Sequence, residues 1–115
     1  MVFKITMNKD LKAKAVLNLV AQIIFDKKGF NILAVDVTGL STITDYMLIA
    51  EGNVDRHIQA IAALIVQTLA EDGRQPFRVE GMEFGDWVVL DYSDFMVHLF
   101  TPGLRDKYQI ERIWP

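Results

Sequence analysis

Residues 87–100 read WVVLDYSDFMVHLF, and the arrangement of the rest of the chain follows from how this stretch folds. Two runs of β-formers meet at Ser93 and Asp94, short polar residues suited to a tight turn. A two-residue loop sets Tyr92 opposite Phe95, Leu90 opposite Val97 and Val88 opposite Leu99. Opposed residues of paired strands point to the same side, and side chains alternate along each strand. Those six apolar or aromatic residues therefore share a core face. The other face pairs Trp87 with Phe100, Val89 with His98 and Asp91 with Met96. Aromatic anchors interleaved with a few orienting polar groups have the composition of a recognition surface. The alternative is a further covering layer, which would make Asp91 and His98 hydrogen-bonded interior groups.

Upstream, residues 8–28 carry a helical pattern, with Val16, Leu19, Val20, Ile23 and Ile24 on one stripe. Asn8 is its expected N-cap and Gly29 its stop. Residues 32–37, ILAVDV, read as an interior strand interrupted by Asp36. A polar connection over 38–44 leads to a second strand, YMLIAE, at 46–51. Asn53 is the expected N-cap of a helix over 54–72, whose apolar stripe is Val54, Ile58, Ile61, Ala62, Ile65 and Leu69; Gly73 ends it. Residues 77–80 form a short third strand after Pro76, and 81–86 a loop into the hairpin. Thr101 and Pro102 begin a short terminal helix by the cap-then-proline rule, with Leu104 and Tyr108 able to pack back on the body. The expected architecture is a single α/β (α+β) two-layer domain over residues 1–115. It has a mixed five-stranded sheet with two long helices on one face. Two helices cover one face of such a sheet, so the Trp87 face is expected to be open.

The chain of 115 residues contains no cysteine, hence no disulfide framework and no thiolate ligand or nucleophile. Its N-terminal MVFKITMNKD lacks the apolar run of a signal peptide. No stretch reaches the roughly 18 uninterrupted apolar residues of a membrane span. A soluble cytoplasmic protein is expected. A formal net charge of −3 argues against independent nucleic-acid binding, which calls for a basic surface, and suits a basic protein partner. Hydrophobic residues make up 51% of the chain and the mean hydropathy is +0.20, consistent with apolar surface kept for a partner.

Asp36, Asp45 and Asp91 sit on or beside strands, as the magnesium-binding carboxylates of a nucleotidyltransferase-like enzyme would. That chemistry also wants a glycine-rich phosphate cradle at a helix N-terminus. The chain offers only Glu51-Gly52-Asn53, where the carboxylate repels phosphate. Ser41, Ser93, His57 and His98 show no nucleophile-and-base spacing. His57 reads as a surface residue, His98 as a structural histidine. No enzymatic activity, metal or cofactor is expected.

Three stretches, LAVDVTGLSTITDYMLIAEGNVDRHIQAIA (33–62), FRVEGMEFGDWVVLDYSDFMVHLF (77–100) and RDKYQIERIW (105–114), together resemble the ribosomal silencing factor, or Iojap, family. The marks are Asp36 with Asp45-Tyr46, Asn53, Arg56-His57, Glu80-Gly81, Asp86-Trp87 through Asp91, Asp94 and Val97-His98, then Arg105, Tyr108, Glu111 and Trp114. The chain departs from the family pattern at Ser93, where glycine is usual, and at Pro102-Gly103, where an acidic pair is usual. The resemblance implies a nucleotidyltransferase-like fold without its catalytic set. It also implies a factor that binds large-subunit ribosomal protein L14 at the subunit-joining face and sterically blocks the small subunit. Trp87, Val89, Asp91, Met96, His98 and Phe100, with Asp36 and Asp45, are the candidate protein-binding residues. A homodimer built on the same face is the competing use.

Overall fold

The computed structural model describes residues 9–104. In chain order it contains α1 (Lys9–Asp26), β1 (Phe30–Asp36), β2 (Tyr46–Glu51), α2 (Asp55–Glu71), β3 (Arg78–Glu80), β4 (Trp87–Asp91) and β5 (Phe95–Phe100). The strands form one mixed sheet ordered β1-β2-β5-β4-β3. β2 and β5 run parallel at its centre, and every other neighbouring pair is antiparallel.

The hairpin has the expected register: Trp87 faces Phe100, Val88 Leu99, Val89 His98, Leu90 Val97 and Asp91 Met96. The Tyr92 N–H donates to the Phe95 carbonyl at 2.9 Å and closes the loop. Ser93 takes a left-handed φ of 77°, a conformation costing a non-glycine residue roughly 1–2 kcal/mol. Its N–H donates to Asp91 Oδ1 at 2.8 Å, which offsets part of that cost. From the end of α2, Arg74 holds the turn: Nη1 lies 3.1 Å from Asp94 Oδ1 and the guanidinium 5.7 Å from the centre of the Phe95 ring.

One core cluster joins both helices to the same face of the sheet. Ala13, Leu17, Val20 and Ile24 of α1 and Ile58, Ile61, Ala62, Ile65 and Leu69 of α2 pack with Tyr46, Leu48, Ala50, Val88, Leu90, Phe95, Val97 and Leu99. The buried stripe of α1 is thus rotated from the expected one: Leu19 is partly exposed and Phe25 largely so.

One helix end is as expected, and two others differ. Gly73, at φ 77°, closes α2 with the paired bonds of a Schellman turn, Gly73 N–H to Ala70 O and Arg74 N–H to Leu69 O, both 2.9 Å. In α1 the left-handed position falls to Lys28 rather than Gly29. Gly29 is needed for space instead, because a Cβ there would collide with Ile24 Cγ2. Asn53 does not cap α2. The cap position is Val54, with no side-chain bond. The Asn53 N–H donates to His57 Nδ1 at 3.0 Å, leaving the His57 proton on Nε2, 2.6 Å from the Lys27 carbonyl oxygen. His57 therefore ties the start of α2 to the end of α1. The expected terminal helix and the Asn8 cap lie outside the described residues.

A candidate protein-docking face

Six of the eight candidate residues occupy the sheet face away from the helices, in the three cross-strand pairs Trp87–Phe100, Val89–His98 and Asp91–Met96. The rings of Trp87 and Phe100 lie 5.0 Å apart, centre to centre, and those of Trp87 and His98 6.2 Å apart. His98 stacks on Phe100 at 5.9 Å with 11° between the planes. The Trp87 Nε1–H donates to His98 Nδ1 at 3.1 Å. That bond requires Nδ1 to be an acceptor, so the neutral imidazole carries its proton on Nε2. Burial drives the His98 pKa down to about 4, against the opposing pull of the Asp91 carboxylate. Asp91 is itself buried, held by the Ser93 N–H at Oδ1 and by Arg78 Nη2 at 3.4 Å from Oδ2.

The face is not open at its centre. Phe100, Met47 and Ile49 are 0% exposed and form a second apolar cluster against which Val35, Trp87 and Leu104 pack. Met96, His98 and Asp91 are buried as well. Counting two helices against a five-stranded sheet made this face too open; Leu104, expected to pack back on the body, does so on this side. Exposure survives toward the β4–β3 edge, where Trp87 and Val89 are half-buried and Glu80 is exposed. There Glu80, Gly81, Asp86, Trp87, Val89 and Leu104 line a concavity of about 380 Å³.

Asp36 and Asp45 do not join this group. Asp36 pairs with Tyr46, a residue of the helix-side core, so the register puts Asp36 on the helix side of the sheet. Its Oδ1 accepts the Thr38 N–H at 2.9 Å, and this bond, aided by the Thr38 hydroxyl, holds its pKa below the usual carboxylate value. Asp45 is exposed at the start of β2, its carbonyl accepting the Val37 N–H at 2.9 Å. Among the described residues no three histidine, cysteine or acidic side chains cluster as metal ligands would. The trio Asp36, Asp45 and Asp91 is divided between opposite sides of the sheet and a loop.

The family model described as "Ribosomal silencing factor during starvation" matches residues 10–115. The chain belongs to this family. The ribosomal silencing factor RsfS of Bacillus subtilis is 38% identical to it over 104 residues, spanning 90% of this chain and 88% of the relative. The crystal structure of a Chromobacterium violaceum protein superposes with a TM-score of 0.84 at 33% identity, over 88% of this chain and 84% of that one. A more distant relative, the mouse protein named "Mitochondrial assembly of ribosomal large subunit protein 1", is 25% identical over 105 residues; the match spans 89% of this chain and 46% of the mouse protein.

In this silencing-factor domain the residues that sequence reasoning missed are those of β2. Met47 and Ile49 continue the Trp87 face across the parallel pairing with Met96 and His98. YMLIAE is apolar on both sides, so its composition gave no sign of which residues faced which layer. The pairing of β1 assigns the sides: Leu33 and Val35 pair with Ile49 and Met47, which leaves Asp36 on the opposite side by simple alternation.

Proposed function

We propose that this protein represses translation by binding the large ribosomal subunit at its subunit-joining face, through ribosomal protein L14, and so excluding the small subunit by steric block. Membership of the silencing-factor family supports the repressor role, and the name of the mouse relative supports association with the large subunit. The observation that carries the docking site is the half-buried Trp87 at the rim of the second face, backed by a rigid ring stack. A large aromatic whose polar edge is already engaged anchors an interface at little further conformational cost. Trp87 and Val89 touch the partner in this reading. His98, Phe100 and the cluster of Met47 and Ile49 hold Trp87 in place, while the net charge of −3 favours a basic protein surface. Steric exclusion needs affinity and position and no reacting group. No described helix is long and apolar enough to cross a membrane, and the proposed place of action is the cytoplasm.

The test is sedimentation of purified protein with ribosomal subunits. Wild type should migrate with free large subunits and lower the yield of joined ribosomes. Trp87→Ala should stay with the unbound fraction while melting cooperatively. Migration as a dimer alone, at every salt concentration and with subunits present, would refute the reading in favour of self-association.

A further inference from the structure

Among the described residues, the concavity beside Trp87 is lined by that residue, Val89, Leu104, Gly81, Glu80 and Asp86. Its shape depends on Gly81: at φ 86° the backbone passes so close to Trp87 that a Cβ would collide with the Trp87 carbonyl oxygen. The surrounding stretch 80–86, EGMEFGD, carries three carboxylates and no basic residue. The nearest base in sequence, Arg78, is already shared, its Nε 3.4 Å from Glu80 Oε1 and its Nη2 3.4 Å from Asp91 Oδ2. The Asp86 carboxylate has no hydrogen bond or ion pair among the described residues; only its backbone carbonyl is used, accepting the Thr101 N–H at 3.0 Å.

We propose that this concavity is a receptor for the guanidinium of an arginine side chain presented by the basic protein partner. The inference rests on the docking reading above and names what that partner puts beside Trp87. A volume near 380 Å³ accommodates one long side chain. An indole wall attracts a cation over its face, most strongly where water is partly excluded. Val89 and Leu104 suit the methylene stem, and the carboxylates at the mouth take the planar donor fork. Lysine fits less well, because its compact ammonium holds its hydration shell and cannot stack on the ring. A divalent cation fits poorly, since among the described residues the lining offers two carboxylate residues beside three apolar or aromatic ones.

The probe is N-acetyl-arginine-N-methylamide, titrated into the full-length protein while the Trp87 indole N–H is followed by NMR. Its control is the citrulline analogue, which has nearly the same shape and no charge. The arginine probe should give a saturable shift that citrulline does not give and that is lost in Glu80→Gln/Asp86→Asn. The same double variant should bind large subunits at least tenfold more weakly, with an unchanged melting temperature. Equal responses to the two probes, or none to either, overturn the proposal, and this arm needs only the unaltered chain if the double variant fails to fold. If the double variant sediments with subunits as wild type does while Trp87→Ala does not, the arginine receptor is wrong and the docking face stands. If Trp87→Ala also sediments undiminished, the docking face is wrong and the assignment of this concavity to the partner falls with it.

Discussion

The indole N–H of Trp87 donates to Nδ1 of His98 across the β4–β5 ladder, at 3.1 Å, from a half-buried ring to a buried one. One bond thereby fixes the rotamer of the candidate anchor and the tautomer of its neighbour. The anchor is pre-set before any partner arrives, which reduces the ordering cost of binding.

Replacing Trp87 by alanine should weaken large-subunit binding by at least about 2 kcal/mol, roughly thirtyfold in affinity. Trp87→Phe keeps the ring contact with Phe100 but deprives His98 of its donor, so an intermediate loss is expected. Sedimentation with purified subunits measures both, and circular dichroism melts should find both variants folded.

Leu90→Ala should cost about 2–5 kcal/mol of folding stability, because Leu90 is fully buried between the sheet and the helices. Val89, one residue away and half-buried on the far face, should cost less than half as much on truncation. Chemical denaturation of the pair reads the difference. Equal losses would mean that the two sides of β4 are packed alike.

Acid should destabilise the fold through His98. Its folded pKa of about 4 lies below the ordinary value of 6.5, so the unfolded chain binds more protons between those limits. Stability should be flat with respect to this group above pH 6.5 and fall as pH drops toward 4, by about 3 kcal/mol in total. Asp36 acts only at lower pH: its pKa is held below 3.8, so its contribution is lost as pH falls beneath that value. Urea midpoints for wild type and His98→Gln between pH 7 and 4 separate the two, since the variant should lack the upper part of the slope.

Gly81→Ala should be destabilising and should displace Trp87. The positive φ alone costs a side-chain-bearing residue roughly 1–3 kcal/mol, and the collision with the Trp87 carbonyl adds to it. Reduced melting temperature together with a shifted Trp87 indole resonance is the expected result. Gly103, also at positive φ but with nothing near its Cβ direction, should tolerate alanine better.

His57→Ala should cost about 1–2 kcal/mol by removing both the acceptor for the Asn53 N–H and the donor to the Lys27 carbonyl. Amide exchange should speed up at Asn53 before any change at the core of α2.

The hairpin was legible because a two-residue loop and a period of two leave one register that gathers six apolar residues together. The burial of its other face was not: Leu104 was expected to pack back on the body, but the sequence did not say which side of the sheet it would meet. The Gly73 stop was readable from chemistry alone. The His57 tie was not, because the bond to Lys27 spans thirty residues and joins two helix ends that only the finished packing brings together. Asp36 was misplaced for a subtler reason. The run ILAVDV is apolar almost throughout, so alternation was masked until pairing with β2 assigned its sides.

The strand order carries a consequence for biosynthesis. β5 lies between β2 and β4, yet it is the last of the described strands to be made. Until it emerges, β2 has a bare inner edge, and MLIA within it is apolar on both sides. Roughly 40 residues separate the end of β2 from the start of β5, so at about 5–20 residues per second that edge waits some 2–8 s for its parallel neighbour. Parallel pairing across such a separation is also slow to form. The nascent chain is therefore most vulnerable to mispairing just before Phe95–Phe100 arrives, and a chaperone that shields the β1–β2 hairpin would act in that interval.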